Sequence, residues 1–250
     1  MSETPVFHPG RFVWHELMTS DTAAAKRFYG ELFGWTTKDV DMGGFMYTML
    51  SAGEVGVGGM MALDPNHGVP PHWMSYVSVD DVDAVVERAR AAGAIIGVEP
   101  QNIPNVGRFA VIGDPQGAWI SPFKSAHGDG EEPTMPAVGT FCWDQIATTD
   151  VQATKDFYTN VFPWSIHEFA PGMETFAGSG KPRASIVEAP PGTPSHWLTF
   201  VVVPSVADAR RRAGALGGHV LVEQIDVPNV GSFSVIADPQ GAVIAAFQGT

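Results

Sequence analysis

The sequence predicts an α+β fold of four βαβββ modules arranged in two tandem pairs. Three observations carry this. The stretch from Pro104-Asn105-Val106-Gly107 through Asp114-Pro115-Gln116-Gly117 to Ile120 occurs twice, the second copy running from Pro228 through Asp238-Pro239-Gln240-Gly241 to Ile244. The surrounding chain repeats in step. Trp14/Trp143, Asp21/Asp150, Phe28-Tyr29/Phe157-Tyr158 and Trp35/Trp164 lie 129 residues apart, whereas His72-Trp73/His196-Trp197, Gly93/Gly217 and Asp114/Asp238 lie 124 apart. Such self-similarity marks a repeated structural unit. Within each half, short apolar runs with a period of two alternate with two helical patterns. The change of offset removes five residues from the second copy, and a deletion between the two groups of matches belongs in a loop.

Taken in order, Arg11 to Thr19 reads as a strand, and Ser20-Asp21 starts a helix over Thr22 to Phe33. That helix places Ala25, Phe28 and Leu32 on one face and stops at Gly34. Trp35 to Val40, Phe45 to Ser51 and Val55 to Leu63 read as strands separated by glycine-rich turns. Asp64 to Pro71 is a loop, after which the same order begins again. His72 to Val79 is a strand, and Asp80-Asp81 caps a helix whose apolar face is Val82, Val85, Val86 and Ala89, with Gly93 beyond its end. Ile95 to Val98, Phe109 to Ile112 and Trp119 to Phe123 complete the half. The last two strands are joined at the Asp-Pro-Gln-Gly corner, where proline presets one turn angle and glycine supplies another.

The second half repeats this plan. Pro163 takes the place of the glycine stop, and Ser205 caps a helix carrying Val206, Ala209, Ala213 and Leu216. Between the halves, Ser125 to Gly139 is polar and turn-rich. The expected domains are residues 8–124 and 139–250, with 125–138 as linker.

Composition excludes several functions. A formal charge of −13 repels phosphate backbones, so nucleic acid is not an expected partner. No apolar run approaches the roughly 20 residues of a membrane helix. Met1 to Pro5 has neither the basic region nor the apolar core of a signal peptide, and a cytoplasmic location is expected. The single Cys142 can form no internal disulfide and reads as a small buried thiol between Phe141 and Trp143.

Thr19-Ser20-Asp21 leading into Phe28-Tyr29 and Phe33-Gly34-Trp35, then Val77-Ser78-Val79-Asp80-Asp81, then Asp114-Pro115-Gln116-Gly117, each with a second-half counterpart, form a pattern. It resembles the vicinal oxygen chelate superfamily of glyoxalase I, fosfomycin and bleomycin resistance proteins and extradiol dioxygenases, and most of all two-domain glyoxalase-like proteins of actinobacteria. The resemblance implies two glyoxalase-like domains. It also implies a metal held by one ligand on the first strand, one on the fifth, and a glutamate four residues after the corner glycine. Those positions fall on Trp14, Met74 and Ser121 in the first half and on Trp143, Leu198 and Ala245 in the second. A hard divalent metal needs imidazole and carboxylate donors, so no cofactor is expected. A divalent metal is the alternative, through a one-residue register slip that would bring His15 into play.

Strand alternation groups Trp14, Glu16 and Met18 on one face, with His15 and Leu17 on the other. It likewise groups His72, Met74 and Tyr76, and Trp119, Ser121 and Phe123. If Trp14 marks the family's cup-facing position, Glu16 faces the cup as well. Glu16 and His72 are the candidate catalytic residues, and Trp14, Met74, Tyr76, Trp119 and Ser121 the candidate ligand-binding residues. A carboxylate among aromatic rings loses hydration and becomes suited to acid–base work. The plainer readings are a solvated Glu16 at the mouth of the cup and a structural His72. In the second half Gln145, Phe200 and Ala245 replace Glu16, Tyr76 and Ser121, leaving a packing or binding surface.

The favoured function is metal-independent binding of a small aromatic or polycyclic metabolite. The alternatives are a lyase, isomerase or oxygenase-type enzyme using Glu16 and His72 or an unrecognised metal site, and a regulatory protein-interaction module. Ligand identity and oligomeric state are left open.

Overall fold

The computed structural model describes residues 5–250 apart from 65, 67 and 171, two of which fall in the loop expected over 64–71. The first half runs β1 (Phe12–Thr19), α1 (Thr22–Phe33), β2 (Thr36–Asp41), β3 (Met46–Ala52), β4 (Val55–Ala62), β5 (His72–Ser78), α2 (Val82–Ala91), β6 (Ile95–Ile103), β7 (Gly107–Gly113) and β8 (Trp119–Ser125). The second half runs β9 (Phe141–Thr148), α3 (Val151–Val161), β10 (Ser165–Ala170), β11 (Met173–Gly178), β12 (Lys181–Glu188), β13 (His196–Val202), α4 (Val206–Ala215), β14 (His219–Val227), β15 (Gly231–Ala237) and β16 (Val243–Gly249). This is the tandem βαβββ plan.

The helix boundaries follow from their caps. Asp21, Asp81, Asp150 and Ser205 each accept a hydrogen bond from the backbone N–H three residues on. Gly34 ends α1 in the left-handed conformation, with φ of 76°. The end of α3 differs, because Phe162 must be extended ahead of Pro163.

Two details depart from expectation. The strand expected over Ile95 to Val98 continues to Ile103, because β6 is an edge strand whose polar Glu99, Gln101 and Asn102 tolerate solvent. It then turns back through Asn105 at a φ of 60°, repeated at Asn229 with 62°. The five-residue deletion divides between two loops. The fully buried Leu50 and Phe176 lie 126 apart, so three residues are lost at the β2–β3 turn and two before β13.

Each half forms one eight-stranded sheet, ordered β2-β3-β4-β1-β5-β8-β7-β6 and β10-β11-β12-β9-β13-β16-β15-β14. The last strand of every module lies parallel to its first, as Glu16 opposite Gly59 and Tyr76 opposite Ser121 illustrate.

Packing divides the chain differently from the sheets. One compact unit gathers Met1–Val13, Ser75–Glu132 and Asp144–Trp197; the other gathers Trp14–Met74, Pro133–Trp143 and Leu198–Thr250. Each has its own apolar core. In the first, Val82, Val85 and Val86 of α2 join Phe157, Tyr158 and Val161 of α3. In the second, Ala25, Phe28 and Leu32 of α1 join Val206, Ala209 and Ala213 of α4. The first helix of one half therefore packs with the second helix of the other.

The expected linker is held within the first unit as far as Glu132. Asp129 accepts hydrogen bonds from the His8 backbone at 2.5 Å and the Ser78 hydroxyl at 2.6 Å. Arg11 donates to the carbonyls of Gly130 and Glu131, and Glu132 pairs with Arg183 at 2.5 Å and Lys181 at 3.0 Å. Burial opposes the charge on Glu132, but the bonds from Arg183 and Lys181 hold its pKa down to about 2.

Candidate functional site

In the unit containing most of the first module, β1 turns Leu17 into the α1–α4 core and Trp14 and Glu16 to the opposite face. Tyr47, on β3, reaches both. The Trp14 indole N–H donates to the Tyr47 hydroxyl at 2.9 Å, and that hydroxyl donates to the Glu16 carboxylate. Gly59 lies between them, paired with Glu16 on one side and Met49 on the other. A β-carbon at Gly59 would collide with the Tyr47 hydroxyl, so the arrangement requires glycine there. Glu16 is only 9% exposed. Burial first, and the Glu16 charge second, push the Tyr47 hydroxyl far above its ordinary pKa. Tyr47 therefore acts as a neutral donor.

Other predicted residues of this unit have more ordinary surroundings. His72 brings its Nδ1 to the Pro70 carbonyl at 2.8 Å, and His196 does the same with Pro194 at 2.9 Å. A contact repeated in both halves holds the strand start. Met74 is buried. His15 lies on the opposite face of β1 from Glu16 and stacks on Phe141 with ring centroids 4.0 Å apart.

In the other unit, β8 sends Ile120 into the α2–α3 core and Trp119, Ser121 and Phe123 to the opposite face. Trp119 lies across a floor made by Gly113, its partner on β7, and Gly97 on β6; β-carbons at either glycine would press into the indole. The ring remains 39% exposed. Tyr76 sits between Phe109 and Phe123, with centroid separations of 6.3 Å and 6.1 Å. Ser121 is fully buried and donates its hydroxyl to the Ala110 carbonyl at 2.7 Å.

The second half differs at these positions as a set. Where the first half has Glu16, Tyr47 and Gly59, the second has Gln145, Met173 and Ser185, and Ser185 hydrogen-bonds Gln145 directly at 3.2 Å. Where the first half has Trp119, Gly97 and Gly113, the second has Val243, Leu221 and Ala237. Leu198, Phe200, Phe233 and Ala245 form an apolar cluster there with Trp143 and Phe247 packed against it. Tyr47 and the three glycines were missed by sequence reasoning. Their joint replacement between halves was the signal that could have found them.

The positions that the resemblance assigns to metal ligands do not fit a hard divalent cation. Trp14 offers an N–H donor already engaged with Tyr47, Met74 a thioether, and Ser121 a hydroxyl committed to Ala110. Trp143, Leu198 and Ala245 belong to or pack on the apolar cluster. Among the described residues, no group of three or more His, Cys, Asp or Glu side chains is placed to hold a metal ion.

The sequence signature described as Glyoxalase/Bleomycin resistance protein/Dioxygenase superfamily matches residues 11–121 and again 140–246. The chain belongs to this superfamily. CFP32 of Mycobacterium tuberculosis, whose name carries a provisional glyoxylase assignment, is 32% identical over 257 residues, covering 99% of this chain and 98% of that one. The anthracycline biosynthesis protein DnrV of Streptomyces peucetius is 31% identical over 261 residues, covering 94% and 92%. Among solved structures, the Mn(II)-bound glyoxalase of Novosphingobium aromaticivorans superposes with a TM-score of 0.63 at 17% identity, covering 96% of this chain and 82% of that one. The 2,3-dioxygenase LapB of Pseudomonas sp. KL28 gives 0.61 at 14% identity, covering 98% and 93%. At those identities the structural likeness establishes the fold. Among the described residues, no helix is long and apolar enough to cross a membrane.

Proposed function

We propose that the chain binds a small aromatic or polycyclic metabolite on the helix-free face of its first half, without the divalent metal usual in the superfamily. The observation that carries this reading is Trp119. A tryptophan 39% exposed on a floor of two glycines is a flat apolar surface supported from below. Such a surface favours stacking of another ring. Tyr76, Phe109 and Phe123 continue the aromatic lining in the same unit. The name of DnrV adds support, since anthracyclines are fused-ring aromatics. A net charge of −13 keeps nucleic acid out of consideration, and a small molecule in the cytoplasm is the expected partner. The test is titration with 2-naphthol, a simple fused-ring probe, followed by quenching of tryptophan fluorescence. Trp119→Val, which installs the second-half residue, should weaken binding by roughly tenfold.

A second reading, an enzyme of the lyase, isomerase or oxygenase type, is favoured by Glu16 and Tyr47. A buried carboxylate hydrogen-bonded to a neutral tyrosine is equipped to exchange a proton with a bound molecule. Conversion of a bound aromatic, followed by mass spectrometry and abolished by Glu16→Gln, would establish it.

A further inference from the structure

We infer that Arg11, Lys181 and Arg183 form an oxyanion site that the chain fills with its own Glu132, and that a free diphosphate ion takes the place of this carboxylate and frees the linker at residues 130–132.

All the groups concerned lie in the compact unit that gathers Met1–Val13, Ser75–Glu132 and Asp144–Trp197. The Arg183 side chain is only 7% exposed, and a charge so placed is costly without a counter-ion. Its Nε donates to the neutral Gly178 carbonyl at 3.1 Å, and its Nη1 donates to one oxygen of Glu132. Lys181 reaches the other oxygen of the same carboxylate. Burial lowers the Arg11 pKa; the charges of Glu132 and Asp129 oppose that shift, and the charge of Arg183 adds to it. The three cations therefore share one neighbourhood. Two of them divide one carboxylate, while Arg11 donates to the neutral carbonyls of Gly130 and Glu131. An ion with more oxygens and more charge suits such a set better, and the fork of a guanidinium matches phosphate oxygens.

The cations belong to this unit as a set. At the corresponding positions, 129 or 126 residues away, the other unit has Thr140, Val55 and Val57. Val57 is as buried as Arg183, so the strand position itself does not require a cation. The net charge of −13 repels extended polyanions, whereas a small ion responds to the local field. Glu132 competes with the advantage of its tether, and diphosphate with its greater charge.

The experiment is calorimetric titration with sodium diphosphate in metal-free buffer at constant ionic strength. It compares the native protein with Glu132→Ala, which vacates the site, and with Glu131→Ala, which removes the same charge one position away. Circular dichroism checks each fold. A site left open less than about a tenth of the time binds at least about tenfold more weakly than a vacant one. Glu132→Ala should therefore bind diphosphate at least about tenfold more tightly than the native protein. Glu131→Ala should stay within about threefold of native. Adding Arg183→Met or Lys181→Met to Glu132→Ala should remove most of the binding, and Lys181 is exposed enough for the fold to tolerate its loss. In the native protein, the heteronuclear NOE of the amides of residues 130–132 should fall with diphosphate and not with equivalent sodium chloride. Equal affinities for Glu132→Ala and Glu131→Ala, or unchanged binding in Lys181→Met/Glu132→Ala, would overturn the site. No binding to the native protein, or binding that leaves those amides as ordered as before, would overturn the displacement of Glu132.

Discussion

The Tyr29 hydroxyl donates to the Asp238 carboxylate at 3.0 Å, joining residues 209 positions apart. Tyr29 also accepts the Trp73 indole N–H at 3.0 Å, and Asp238 accepts the backbone N–H groups of Gln240 and Ala242. The other unit repeats the arrangement with Tyr158, Trp197 and Asp114. The aspartate that opens the Asp-Pro-Gln-Gly corner thus does more than shape a turn. It anchors the corner of one module to the helix of a module from the other half. Burial raises the pKa of Asp238, against the opposing effect of its hydrogen bonds.

Tyr29→Phe leaves the Trp73 N–H and one Asp238 oxygen without this partner inside a closed core. The expected cost is about 2–4 kcal/mol, larger than for an exposed hydroxyl. Urea unfolding monitored by tryptophan fluorescence measures it. A change under about 0.5 kcal/mol would mean that the hydroxyl contributes nothing beyond shape.

Because each compact unit draws on both halves of the sequence, cleavage between Gly128 and Glu132 should yield fragments that stay together. Limited proteolysis followed by gel filtration without denaturant should show one native-sized peak containing both. Expressed alone, residues 1–124 should lack a stable fold, as α1 would be without α4 and α2 without α3. A sharp unfolding transition for that fragment would contradict this.

Glu132 gives a pH dependence with a definite sign. Its pKa falls from 4.5 to about 2 on folding, so its stabilisation is fully present above 4.5 and is lost as pH falls through about 2. Glu132→Gln should be less stable than the native chain at pH 7, by roughly 1–3 kcal/mol. The difference should shrink between pH 4.5 and 2. It should also expose the linker to proteases more readily. A difference independent of pH would remove the ion pairs with Arg183 and Lys181 as its cause.

The module order, the helices and their caps were legible because they rest on local signals: Asp21, Asp81, Asp150 and Ser205 before apolar periodic runs, and a repeat to check each against. The extent of β6 was less legible, since Glu99, Gln101 and Asn102 interrupt the apolar pattern of an edge strand. The partner of each helix was not legible at all, because nothing local in α1 names α4. Alternation was enough to put Trp14 with Glu16. Tyr47 was beyond its reach, because it arrives from β3 across Gly59 and no spacing within β1 encodes that approach. Trp119 was placed among the candidate ligand-binding residues by strand alternation, while the glycines beneath it emerged only from the β6–β7–β8 register.

The central claim is that the first half binds an aromatic ligand on Trp119 without a metal, and calorimetric titration of chelator-treated protein with 2-naphthol tests it most directly. Trp119→Val and Val243→Ala, one change in each half, are the comparison. Binding should persist after removal of metal, fall roughly tenfold in Trp119→Val, and hold within about twofold in Val243→Ala. Binding that vanishes with the chelator and returns with one equivalent of a divalent metal, or that depends on Val243 rather than Trp119, would contradict the account.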